Sequence, residues 1–102
     1  MMTNDTTITD EDLVHALLHD GYSCIALVPG RGLCGIGRML FTTGLFIHLD
    51  YTGYHGRYCF HTWYEAAAAL IAWDGLSDPP GNWIKHKGGD GEYSNPNYRD
   101  YE

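Results

Sequence analysis

The run from Thr62 to Gly75, TWYEAAAALIAWDG, constrains the fold more than any other feature of the chain. Thr62 and Glu65 have the spacing of a capping box, in which each side chain satisfies a backbone N–H of the other's turn. Alanine and leucine extend a helix at the least conformational cost, and Gly75 is placed to end it. Trp63, Ala67, Leu70, Ile71 and Asp74 share one face, and Glu65, Ala68, Ala69 and Ala72 share the other. With no lysine or arginine on it, this helix is apolar nearly all round, and such helices are covered on more than one side. The cover for Ala68, Ala69 and Ala72 is expected to be the first helix, a second protein or a second copy of the chain.

The remaining elements are short. Thr9 reads as an N-cap, and Asp10, Glu11 and Asp12 place carboxylates at the positive end of a helix dipole. That helix is expected over residues 10–19, with Leu13, Val14, Leu17 and Leu18 as its apolar stripe and Gly21 as its stop. Strands are predicted over 22–28, 36–42, 45–51 and 57–61, with the glycine-rich segment 30–37 as a loop. A short edge strand over 82–87 would carry Lys85 and Lys87 as edge guards. The spacing predicts an α+β domain: an antiparallel sheet of three to five strands with two helices packed on one face, in the order α-β-β-β-β-α-(β). Residues 1–8 are expected to be a flexible N-terminus, 9–88 the domain and 89–102 an acidic, tyrosine-containing tail. The expected core comprises Leu13, Leu17, Ile25, Leu27, Leu40, Ile47, Leu49, Cys59, Trp63, Leu70 and Ile71.

At 102 residues the chain is one domain's worth and needs no disulfide or metal staple. The three cysteines, Cys24, Cys34 and Cys59, form no framework and no CxxC, which suits a reducing, cytoplasmic setting. No stretch resembles a signal peptide or a membrane span. The formal net charge of −7 gives no basic footprint for nucleic acid. It suits attraction to a positively charged partner.

Candidate chemistry is sparse. His15 and His19 stand at i and i+4, a spacing that can share zinc, but no third ligand accompanies them. Cys59 and His61 alternate onto one side of a strand without the flanking pattern of a nucleophile. The segment GRGLCGIGR runs into a strand, not a helix, and lacks the lysine of a phosphate loop. The chain therefore reads as a binding protein, not an enzyme, with no cofactor and no metal. The residues expected to meet a partner are Asp10, Glu11, Asp12 and Asp20, where residues 1–30 hold five acids and no bases. Tyr54, Tyr93 and Tyr98 are expected as aromatic anchors.

The element order resembles the double-stranded-RNA-binding domain in architecture alone, since the lysines that open that family's second helix are replaced here by His61-Thr62-Trp63-Tyr64-Glu65. A second resemblance covers about half of the chain. GYHGRYCFHTWYEAAAALIAWDG (53–75), PGNWIKHKG (80–88) and SNPN (94–97) are similar to small phage and prophage accessory proteins of unassigned chemistry. That resemblance implies an anti-defence factor, such as an anti-CRISPR protein. Such a factor would be a stoichiometric inhibitor in the host cytoplasm that binds a basic surface of a host protein or ribonucleoprotein complex. The alternative it leaves open is a self-assembling module, joined as a homodimer through the alanine face. Neither involves direct contact with nucleic acid or membrane.

Overall fold

The computed structural model describes residues 10–89 and 91–99; the segment 1–8 and Thr9 lie outside them. Helix α1 (Asp10–His19) is followed by strands β1 (Ser23–Val28), β2 (Gly32–Arg38), β3 (Thr43–Ile47) and β4 (Gly56–Phe60). Helix α2 (Trp63–Ala72) then precedes β5 (Lys85–Gly88) and β6 (Gly91–Ser94). All six strands form one antiparallel sheet whose spatial order is the sequence order. The α+β class holds, with a sixth strand contributed by the expected tail. Residues 95–99 are tied back through Asn95, which donates to the Trp83 carbonyl at 2.7 Å, and through paired bonds between Asn82 and Arg99.

The helices do not share a face. Cys34, Ile36, Leu45, Ile47, Tyr58 and Phe60 project to one side of the sheet and pack with Ala66, Ala69, Leu70 and Trp73 of α2. Leu33 and Phe46 alternate to the other side, where they meet Leu13 and Leu17 of α1. Two apolar faces call for two covers, and β2 and β3 are buried on both.

The glycine-rich segment is not a loop but the body of β2, and the turn falls at Met39–Thr42. Its glycines provide space. A Cβ on Gly37 would stand 2.8 Å from the Phe46 ring, and one on Gly44 would stand 2.7 Å from it. Phe46 occupies the space over this bare backbone and is only 7% exposed. As a consequence Leu40 sits in the turn and is 87% exposed. Leu27 on edge strand β1 is 74% exposed, outside the span of α1. Strand β5 is interior, flanked by β4 and β6, so Lys85 and Lys87 guard no edge.

Helix α2 starts as its capping box requires: Thr62 accepts from the Glu65 N–H at 3.1 Å, and Glu65 accepts from the Thr62 N–H at 3.2 Å. Its buried face is Ala66, Ala67, Ala69 and Leu70, rotated from the expected one. Ile71 is 81% exposed and Trp63 41% exposed, so neither belongs to the core. The helix closes at Trp73, and Gly75 follows in the left-handed region at φ +82°.

Gly75 also packs so closely that a Cβ would fall 1.9 Å from the Pro29 carbonyl oxygen, whereas a Cβ on Gly21 (φ +103°) would meet nothing within 4 Å. Gly21→Ala should therefore cost about 1 kcal/mol, from backbone strain alone. Gly75→Ala should cost about 3 kcal/mol or more, because strain and overlap add. Urea unfolding of the two variants measures the difference.

Candidate functional site

Two surfaces stand out, and both lie on the α2 side of the sheet. The first is the outer face of α2. Tyr64 is 79% and Ile71 81% exposed, with Ala68 and Ala72 open between and beside them. Leu76, just past the helix, is 84% exposed. The acids flanking this stripe are Glu65 at the helix start and Asp74 after its end, and residues 58–84 contain no lysine or arginine. A shallow groove of about 340 Å³ runs beside Ala68 and Ala72 towards Pro80 and Asn82. Ala69, expected on the open face, is instead 3% exposed and packed inward against the sheet.

The second surface is a concave one. Gly56, Gly88 and Gly89 form a floor without side chains, and around it stand Arg31, His48, His55, Tyr58, Asp78, His86 and Tyr93, enclosing a cleft of about 440 Å³. Tyr58, His86 and Tyr93 are direct cross-strand neighbours on β4, β5 and β6, with ring centres 4.3 Å and 4.8 Å apart along the row. The edges of Trp73 and Trp83 meet the Tyr58 ring at 5.8 Å and 5.0 Å. The Tyr58 hydroxyl donates to Asp78 Oδ1 at 2.7 Å. Burial, and then the Asp78 carboxylate, raise the Tyr58 pKa far above the usual phenol range, so this phenol holds its proton.

Arg31 is fixed at the cleft wall. Its Nε donates to the Gly75 carbonyl and its Nη2 to the Ser77 carbonyl, each at 3.0 Å, and its guanidinium lies 4.9 Å from the Trp73 ring centre. The His48 N–H donates to the Arg31 carbonyl at 3.1 Å. His48 holds a left-handed backbone at φ +54°, and the His55 ring centre is 5.3 Å from its own. His55 Nε2 lies 4.0 Å from Asp50 Oδ2. Asp50 accepts from the Thr52 hydroxyl and from the Thr52 and Gly53 N–H groups, which holds its carboxyl below the usual range.

The residues expected to meet a partner are not brought together. Asp10 opens α1, and Glu11, Asp12 and Asp20 are exposed on or beside it, across the sheet from α2. Tyr54 is on the α1 side as well, its ring centre 4.6 Å from that of Phe46 at a tilt of 60°, and its hydroxyl accepts from Arg57 at 3.0 Å. Tyr93 lines the cleft, and Tyr98 is hydrogen-bonded to His61. His15 and His19 are exposed, and among the described residues no three His, Cys, Asp or Glu side chains converge as a metal site. No helix among them is long and apolar enough to cross a membrane.

Sequence reasoning missed the cleft because its walls come from separated segments with no shared motif. One signal was present. In Lys85-His86-Lys87 the histidine alternates inward between two outward lysines, the mark of a polar residue placed under cover.

Cys34 is fully buried, and burial pushes its thiol up to about 11, offset in part by the His48 N–H and the Arg31 charge. Maleimide labelling at pH 8 should therefore leave Cys34 unmodified until the chain unfolds, as read by peptide mass spectrometry. Tyr58→Phe should cost about 1–2 kcal/mol in urea unfolding, the worth of a hydrogen bond to a charged acceptor that water can partly replace.

The chain matches no protein-family model, no curated protein and no solved structure.

Proposed function

We propose that this chain is a protein-binding module that docks the outer face of α2 on a positively charged partner. The partner class is a bacterial host-defence complex, CRISPR effectors among them, which the chain inhibits stoichiometrically. The observation that carries the reading is the pair Tyr64 and Ile71, about four-fifths exposed on a helix with no cation along it. An exposed apolar stripe between acids has the anatomy of an interface: an anchor to desolvate and a charged rim that selects the partner. The phage-like motifs of residues 53–97 supply the biological setting, and the chain's own part is binding, with no reaction assigned to it.

The acids of α1 take a different role from the one first expected. They lie across the sheet from the docking stripe, so Glu11, Asp12 and Asp20 act at a distance, adding to the negative field that speeds encounter with a basic surface. Self-assembly is the second reading, favoured by the small side chains of Ala68 and Ala72, which would let another helix approach. Mutual repulsion between two copies of net charge −7 weighs against it.

Both readings meet in one set of variants. Ile71→Glu and Tyr64→Ala should keep the native circular dichroism, because both side chains are exposed. Each should weaken binding to a purified, inhibited effector complex by about thirtyfold or more, as hot-spot truncations do. Joint replacement of Glu11, Asp12 and Asp20 by lysine should slow association and leave dissociation unchanged, measured by surface plasmon resonance at low salt. Unchanged binding by Ile71→Glu defeats the docking face. A dimer in sedimentation equilibrium that Ile71→Glu dissolves transfers the face to self-assembly.

A further inference from the structure

The cleft is not needed for docking through α2, and its chemistry points to a separate occupant. We infer that it is a binding site for a small phosphate monoester bearing hydroxyls and a flat ring, of the nucleoside monophosphate class. Three features of that ligand have counterparts around one bare floor. Arg31 supplies a fixed positive charge; with Nε and Nη2 engaged by carbonyls, the guanidinium is held in one orientation. His48 and His55 stand beside one another on the same wall, and their ring nitrogens add donors, so that Arg31, His48 and His55 can meet the oxygens of one phosphate. Tyr93, 43% exposed, lines the same cleft and adds an aromatic surface to the His86–Tyr58 row, its ring tilted 51° from that of His86. A planar base lies against such a surface whatever its identity. The Asp78 carboxylate, also lining the cleft and already accepting from Tyr58, has further acceptor capacity for a ligand hydroxyl.

Glycine leaves room at one end of the cleft. Gly56 begins β4, Gly88 ends β5 and Gly89 follows it; a Cβ on Gly56 would meet Ile47 at 3.2 Å, whereas one on Gly89 would meet nothing within 4 Å, so the cleft opens to solvent at Gly89. The volume of about 440 Å³ falls within the range of small-ligand pockets. His48 keeps a left-handed backbone that bulky residues adopt only at a cost. Here that conformation sets the imidazole against Gly32, where a Cβ would stand 3.0 Å from Nδ1, and next to Arg31.

The test uses the full chain and histidine Hε1 resonances, with AMP, adenosine and inorganic phosphate as probes. AMP should shift the His48 and His55 signals saturably, and adenosine and phosphate should each bind about tenfold or more weakly, since each forfeits one set of contacts. Arg31→Lys keeps the charge but loses the paired bonds to the Gly75 and Ser77 carbonyls that hold it in one orientation, and should weaken AMP about tenfold. His55 is exposed, so His55→Gln should weaken AMP severalfold in a chain that still folds. Ile71→Glu should leave AMP binding unchanged, which separates this site from the docking face. Three results overturn the inference: no saturable shift with AMP, adenosine binding as tightly as AMP, or an AMP affinity indifferent to His55→Gln.

Discussion

The structure depends on the burial of one aromatic side chain with its polar end satisfied. Tyr58 sits in the middle of the sheet, 1% exposed, with Trp73 from the end of α2, Trp83 from the strand approach and His86 from β5 around its ring. Its hydroxyl reaches Asp78 in the segment that leaves α2. A buried phenol without a partner would carry a desolvation cost of about 1–3 kcal/mol, so the hydrogen bond fixes where that segment must run. The same segment holds Arg31 through the Gly75 and Ser77 carbonyls. The position of α2, the path into β5 and the wall of the cleft therefore follow from one ring and its oxygen.

The two faces of the sheet solve the covering problem differently. On the α2 side the core is built of large side chains meeting small ones: Leu45, Tyr58 and Phe60 beneath Ala66 and Ala69. Alanines let the helix come close, and the outer side of that helix then carries side chains that the fold itself does not bury. On the α1 side one large ring, Phe46, lies across glycines of β2 and β3 and forms the surface on which α1 rests. The cleft opens beyond the end of β5, where a Cβ on Gly89 would meet nothing within 4 Å.

Much of this was legible in the residues. The bounds of α1, the capping box of α2, the meander of β3 and β4, and the inward positions of Leu17, Ile47, Cys59 and Leu70 all follow from periodicity and turn chemistry. Leu49 is buried as expected but on the α1 side with Phe46, because β3 ends at Ile47 and the left-handed His48 breaks the alternation. The side assignments were harder. Read as Leu45, Ile47, Leu49 against Phe46, His48 and Asp50, β3 has one apolar face; Phe46 was the sign of a second, and with it of helices on both sides. Glycine misled at β2, because in a strand it can mark close approach of a ring instead of a turn. In α2, apolarity all round suggested cover on every side, whereas only Ala66, Ala67, Ala69 and Leu70 are buried. Composition tells what a face would prefer, and cannot tell whether the same chain has anything left to place there. The cleft was illegible for a related reason: Arg31, His48, His55 and Asp78 meet only through strand register and the hydroxyl of Tyr58.

Every strand of the sheet lies beside its neighbour in sequence. Chain closures during folding are accordingly short, except where residues 61–84 separate β4 from β5. Locally connected topologies order quickly, because little entropy is lost before contacts repay it. The first four strands can zip as successive hairpins, and the late event is the return of the chain across α2 to seat His86 beside Tyr58. Assembly of the cleft thus coincides with completion of the sheet, so a nascent chain acquires its concave surface only once β5 and β6 have been synthesised.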